Sequence, residues 1–98
     1  MTDHDPEYEA AAQQLEAYEM SAVREQKTAD AYGLVRSILN DQLAMLTSND
    51  NGLTGVEVEV FEKELERLAN TVSHHEGWAE RWRRGASEQR QKMTEAFG

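Results

Sequence analysis

Cysteine is absent from this 98-residue chain, and with it go disulfide scaffolds, thiolate zinc sites and cysteine nucleophiles. Proline occurs once, at Pro6, so no interior proline breaks a helix. Purely apolar runs extend only a few residues, too short for a bilayer span, and Met1-Thr2-Asp3-His4-Asp5 has neither the basic nor the apolar segment of a secretory leader. The expectation is a cytoplasmic protein with no membrane partner.

Positive charge is scarce as well. Ten Lys and Arg face nineteen Asp and Glu, a formal net charge of −9. That balance disfavours direct binding to nucleic acid or anionic lipid, both of which are read by clustered cations. The shortage is uneven: residues 1–77 hold 16 acids and 5 bases, whereas 78–98 hold Glu80, Glu88 and Glu95 against Arg81, Arg83, Arg84, Arg90 and Lys92.

What is present favours helix. Apolar residues make up 39 % and charged residues 30 %, too apolar for a disordered acidic tail and rich in Ala, Glu, Leu, Gln and Arg. From Val58 a 3,4 spacing runs unbroken through Phe61, Leu65, Leu68, Val72, His75, Ala79, Trp82, Ala86, Gln89, Met93 and Ala96, and ten of these twelve positions are apolar. Such a heptad keeps one narrow stripe facing a partner helix. Upstream, Tyr8, Ala11, Leu15, Tyr18, Ala22, Glu25, Ala29 and Tyr32 repeat the spacing. The pattern slips near Gly33 and Arg36, where Val35 is expected to fill the place of Arg36, and resumes as Leu39, Leu43 and Leu46.

Start and stop signals divide the chain once. Asp5-Pro6-Glu7 reads as a helix start, with Asp5 as the capping acceptor. Ser48-Asn49-Asp50-Asn51-Gly52 is the strongest turn signal, and Thr54-Gly55-Val56-Glu57 then fits a capping box. The reading is a single all-α domain over 1–98: helix 1 over about 6–47, a turn at 48–54 and helix 2 over about 55–96. The two form a long antiparallel, coiled-coil-like hairpin in which Leu46 meets Val58, Leu39 meets Leu65, Ala22 meets Trp82 and Tyr18 meets Ala86. Large faces small along this register, which fills the seam without voids. Gly33 and Gly77 each weaken a helix interior by about 1 kcal/mol relative to Ala, so a kink or break at mid-length is one outcome to test.

A second apolar stripe lies off the seam: Ala31, Leu34, Val35, Ile38 and Met45 on helix 1, and Val56, Val60 and Trp78 on helix 2. A lone hairpin leaves such residues wet, so association into a homodimeric four-helix bundle is expected.

Four constellations invite a chemical reading. An EF-hand alignment on Gly52 places Thr47, Asn49 and Asn51 as ligands but Val58 where a bidentate Glu is needed, so the turn reads as a polar connection. His74-His75-Glu76 has no ligand three or four residues away on either side, which argues against metal. His75 is nonetheless a polar residue on an apolar seam: either it fixes register through Glu25 or backbone, or it is a pH-sensitive element. Glu57, Glu59, Glu62, Glu64 and Glu66 form the densest acidic run, usually a solvated helix face with Glu59 paired to Lys63; the sharper reading is an acidic surface that mimics nucleic-acid charge. Finally, Trp78-Ala79-Glu80-Arg81-Trp82-Arg83-Arg84 combines the residue types of binding hot spots. The plainer account is arginines paired with the acidic first helix and with Glu80, the latter through Arg84.

No nucleophile turn or phosphate loop is legible, so no enzyme, cofactor or metal is expected. Length and hairpin pattern resemble small secreted helical hairpins with a Trp-x-Gly turn, but here the turn reads Asn-Asp-Asn-Gly and both tryptophans fall mid-helix. The function expected is a protein-interaction module (adaptor, chaperone-like partner or assembly factor) acting through a self-associating hairpin. It meets its own copy and another protein through Trp78, Arg81, Arg84, Leu34, Ile38 and Met45. The alternative is a small acidic inhibitor that blocks a nucleic-acid-binding protein.

Overall fold

Two helices of 43 residues each, α1 (Pro6–Ser48) and α2 (Gly55–Phe97), make an all-α helical hairpin in the computed structural model, which describes residues 5–48 and 53–98. No strand occurs among the described residues. The centre of the expected turn, residues 49–52, and with it Asn49 and Asn51 of the calcium alignment, lies outside them.

The caps that the sequence implies are formed. Asp5 Oδ1 accepts from the amides of Glu7 at 3.0 Å and Tyr8 at 3.4 Å, satisfying orphan donors of the first turn of α1. At the start of α2 the Glu57 amide donates to Thr54 Oγ1 at 3.2 Å while Glu57 Oε2 accepts from the Thr54 amide at 3.3 Å, the reciprocal pair of a capping box. The end of α2 carries a device the sequence reading passed over. Gly98 takes φ of 89°, and its amide bonds the Thr94 carbonyl at 3.0 Å, the left-handed helix termination that glycine adopts at least cost.

The glycines inside the helices do not break them. Gly33 and Gly77 both lie within uninterrupted helix. The hairpin's residues pack as two compact units, each built from a segment of both helices: one takes in residues up to Gln26 with Glu76–Gly98, the other is Lys27–His75.

In the first unit the seam is lined by Ala22, Ala79 and Ala86, all buried, with Tyr18 and Trp82 half-buried between them. The Tyr18 and Trp82 rings lie 5.8 Å apart at 34°, and Gln89 Nε2 donates to the Ala11 carbonyl at 3.1 Å. Nearer the chain ends, Tyr8 and Phe97 meet edge to face at 5.3 Å. Tyr8, Ala11, Tyr18, Trp82 and Gln89 are positions of the expected antiparallel seam, whereas Phe97 lies one residue past its last position, Ala96; the ring contact joins Tyr18 to Trp82, where the register expected Tyr18 to meet Ala86 and Trp82 to meet Ala22.

In the second unit Ala29 and Leu68 are buried, and Leu39, Leu43, Leu46, Val58, Phe61, Leu65 and Val72 are half-buried. One detail departs from expectation. Val35 does not fill the seam: it is 46 % exposed, and Arg36 is exposed too. The heptad in fact keeps its phase from Ala29 through Tyr32 and Arg36 to Leu39, so Arg36 holds the seam position and Val35 falls on the flank. The apolar seam of α1 therefore has a gap at Arg36.

Candidate functional site: an aromatic flank and an outer apolar row

The first unit has two unlike flanks. In an antiparallel pair, one side is bordered by the heptad e positions of both helices and the other by the g positions. The e side is closed by polar pairs: Arg83 Nη1 and Nη2 reach Gln26 Oε1 at 3.4 and 3.5 Å, and Arg90 Nη2 meets Glu19 Oε1 at 3.3 Å. Arg83 also pairs with Glu80 at 3.5 Å, so Glu80 turns to the residue three ahead rather than to Arg84, as the sequence reading had it. Both spacings place partners on one helix face.

The g side is aromatic. Trp78, at a g position, lies 6.3 Å from Trp82 at 31°, and Trp82 in turn meets Tyr18, so three rings run in a row from the flank into the seam. The Arg81 guanidinium carbon sits 4.9 Å from the centre of the Trp78 ring, a cation–π arrangement that holds both side chains in place. Trp78 remains 37 % exposed. Beside it, the Tyr18 ring packs against Gly85: a Cβ added there would stand 3.4–3.6 Å from three ring atoms. Gly85 escaped the sequence reading; the signal was there, since it occupies the g position one heptad after Trp78. Arg84 is exposed on the outer face of α2.

The other expected partner-binding residues belong to the second unit. Leu34, Ile38 and Met45 are 64 %, 49 % and 63 % exposed. With Ala31 they form a row of their own at heptad spacing, interrupted only by Asp41, and none belongs to the seam. Val56 and Val60 on α2 are exposed as well. Met20 and Val23, also exposed, are apolar surface residues of the first unit that the sequence reading did not single out.

No family model, curated protein or solved structure matches this chain.

The acidic run is partly engaged in helix stabilisation. Glu57 serves the capping box, Glu59 pairs with Lys63 at 3.1 Å, and Glu64 accepts from Arg67 Nε at 3.0 and 3.1 Å. The hydrogen bond from Arg67 holds the Glu64 carboxyl below the usual carboxylate range, and Glu64 in return raises the Arg67 guanidinium. Glu62 and Glu66 are exposed. His75 is half-buried and stacks on Tyr32, rings 5.8 Å apart and 7° from parallel, while His74 meets it edge-on at 5.5 Å. Among the described residues no three His, Asp or Glu side chains gather in a metal-binding cluster, and no helix is long and apolar enough to cross a membrane.

Proposed function

We propose that this chain is a protein-interaction module that associates with a second copy of itself through the outer face of α1 in the Lys27–His75 unit. The observation that carries the reading is the row Leu34, Ile38 and Met45, between about half and two thirds exposed on a helix whose opposite side is already used by the seam. Large aliphatic side chains at heptad spacing form a stripe, here broken once at Asp41, and burying a stripe of this kind is the main favourable term in helix association. A second copy is its natural cover: the same row presented twice about a two-fold axis is self-complementary and closes the assembly at two chains. Val56 and Val60 widen the apolar surface from α2.

The other reading, an acidic inhibitor imitating nucleic-acid charge, has less support. Three carboxylates of its proposed surface, Glu57, Glu59 and Glu64, are engaged by a cap, a lysine and an arginine of the same helix.

Light scattering on the purified chain over a range of concentrations tests the proposal. Wild type is expected as two chains per particle, and Ile38→Glu as one chain with unchanged helical circular dichroism. A wild-type protein that stays a single chain at every concentration overturns it.

A further inference from the structure

We propose that the two copies associate with their α1 helices antiparallel, set in register by two symmetric ion pairs, Lys27 of each chain with Asp41 of the other, about a two-fold axis beside Leu34. This deepens the reading of the outer face of α1 and rests on it, because without self-association there is no register to set.

The outer row follows two neighbouring heptad positions of α1. Lys27, Leu34 and Asp41 repeat at one, and Ala31, Ile38 and Met45 at the other. Residues 31–48 hold only two charged side chains, Arg36 and Asp41, in a chain that is 30 % charged. Arg36 stands at a seam position, so Asp41 is the one charge that breaks the row. A charge-poor face with a lone polar exception is how a helix interface is made selective for one register. Asp41 has no cation three or four residues away on α1, and neither Asp41 nor Lys27 forms an ion pair among the described residues.

Lys27 and Asp41 stand seven residues either side of Leu34, which puts them about 21 Å apart along the helix, so they cannot pair within one chain. A parallel arrangement of two copies sets lysine beside lysine and aspartate beside aspartate. The antiparallel arrangement centred on Leu34 does the reverse: each Lys27 comes level with Asp41 of the second copy, Leu34 meets itself, and Ile38 falls one residue from level with Ala31, large against small. Other centres do worse. Setting Leu34 against Ile38 puts Asp41 opposite Ala31 and Lys27 opposite Met45, two charges on apolar side chains; sliding the other way levels Asp41 with Arg24 but Lys27 with Ile38. Two more charges border the paired window. Asp30 lies at its edge near Lys27, which then faces a carboxylate of each chain, and Arg24 comes within one residue of level with Met45 of the second copy, along which its methylene stem can lie.

Because the chain has no cysteine, single-cysteine variants read the axis directly. Leu34→Cys, level with its own copy, is expected to form a disulfide-linked dimer under mild oxidation; Ile38→Cys, whose two copies would stand about 12 Å apart along the helices, is not. Charge exchange reads the pairs. Lys27→Glu and Asp41→Lys each turn two attractions per dimer into two repulsions and should raise the dissociation constant about tenfold by sedimentation, with circular dichroism unchanged. An equimolar mixture of these two variants forms both pairs in the mixed dimer and should associate as wild type does, whereas a mixture of Arg24→Glu with Asp41→Lys should fall short of it. Equal cross-linking at positions 34 and 38, charge variants as tight as wild type, no recovery in the first mixture or full recovery in the second overturns this register while association itself stands. A wild type that stays one chain at every concentration overturns both.

Discussion

Glycine substitution offers a test in which local geometry alone decides the sign. Gly33 and Gly77 lie inside continuous helix, and a Cβ added at either would meet nothing within 4 Å. Alanine at these sites should therefore gain the helix-propensity difference and restrict the unfolded chain without steric cost, about 0.5–1 kcal/mol each. For a chain of this length that is a rise in Tm of roughly 2–8 °C. Gly85 differs, because a Cβ there would stand 3.4–3.6 Å from three atoms of the Tyr18 ring. Alanine just fits, so Gly85→Ala should stabilise no more than Gly77→Ala. Leucine separates the sites further: Gly77→Leu keeps most of the gain, since leucine is nearly as good a helix former, whereas Gly85→Leu must push the Tyr18 ring aside at a cost of about 1–3 kcal/mol. Thermal and urea unfolding followed by circular dichroism, at one fixed protein concentration because any association would shift Tm, gives the five differences. If Gly33→Ala and Gly77→Ala destabilise, the helices are not continuous at those residues and the hairpin described above is wrong there.

Two further outcomes follow from burial and from charge. Ala79 has no exposed surface, so Ala79→Leu should overpack the seam and cost about 1–3 kcal/mol by urea unfolding, whereas Ala96→Leu, at an exposed position of the same heptad, should be near neutral; equal effects would dissolve the distinction between a packed seam and its open end. The Glu64 carboxyl is lowered first by its hydrogen bond from Arg67. A lowered folded-state pKa contributes stability that is present above the unfolded-state pKa and is lost as pH falls through the folded value, and solvent screening keeps it small at this exposed site. Arg67→Gln should move the Glu64 titration midpoint upward by carboxyl-detected NMR, and an unmoved midpoint would remove the pair.

The fold was legible because heptad spacing is a direct projection of packing. The row from Val58 to Met93 predicted which side of α2 is covered, and each of those residues is buried or half-buried. Caps were legible for the same local reason, since Asp5, Thr54 and Glu57 need only their own neighbours to act. The failures came where a seam position was judged by residue type instead of phase. Arg36 was displaced in favour of Val35 because arginine is a poor core residue, yet helix phase is set by the turns on either side and one polar position does not shift it. Gly85 was missed because its role depends on the Tyr18 ring from the other helix, and no spacing within α2 encodes that meeting.

The distribution of apolar residues between the two helices bears on the proposed association. α2 gathers its apolar side chains on one side, while α1 spreads them over more than one. Pairing α1 with α2 uses one stripe of each, so it leaves the surplus on α1, and Leu34, Ile38 and Met45 are that surplus in the Lys27–His75 unit. A helix needed only for an intramolecular seam gains nothing from a second row at the same period; scattered apolar residues on a surface are ordinary, but a row in heptad phase is not. Tryptophan and arginine are distributed the other way, with Trp78, Trp82 and Arg81 all on α2 in the opposite unit. The aliphatic surface and the aromatic, cationic one thus differ in helix, in unit and in chemistry, so charge at Ile38 should abolish the proposed association, and charge reversal at Arg81 should leave it intact.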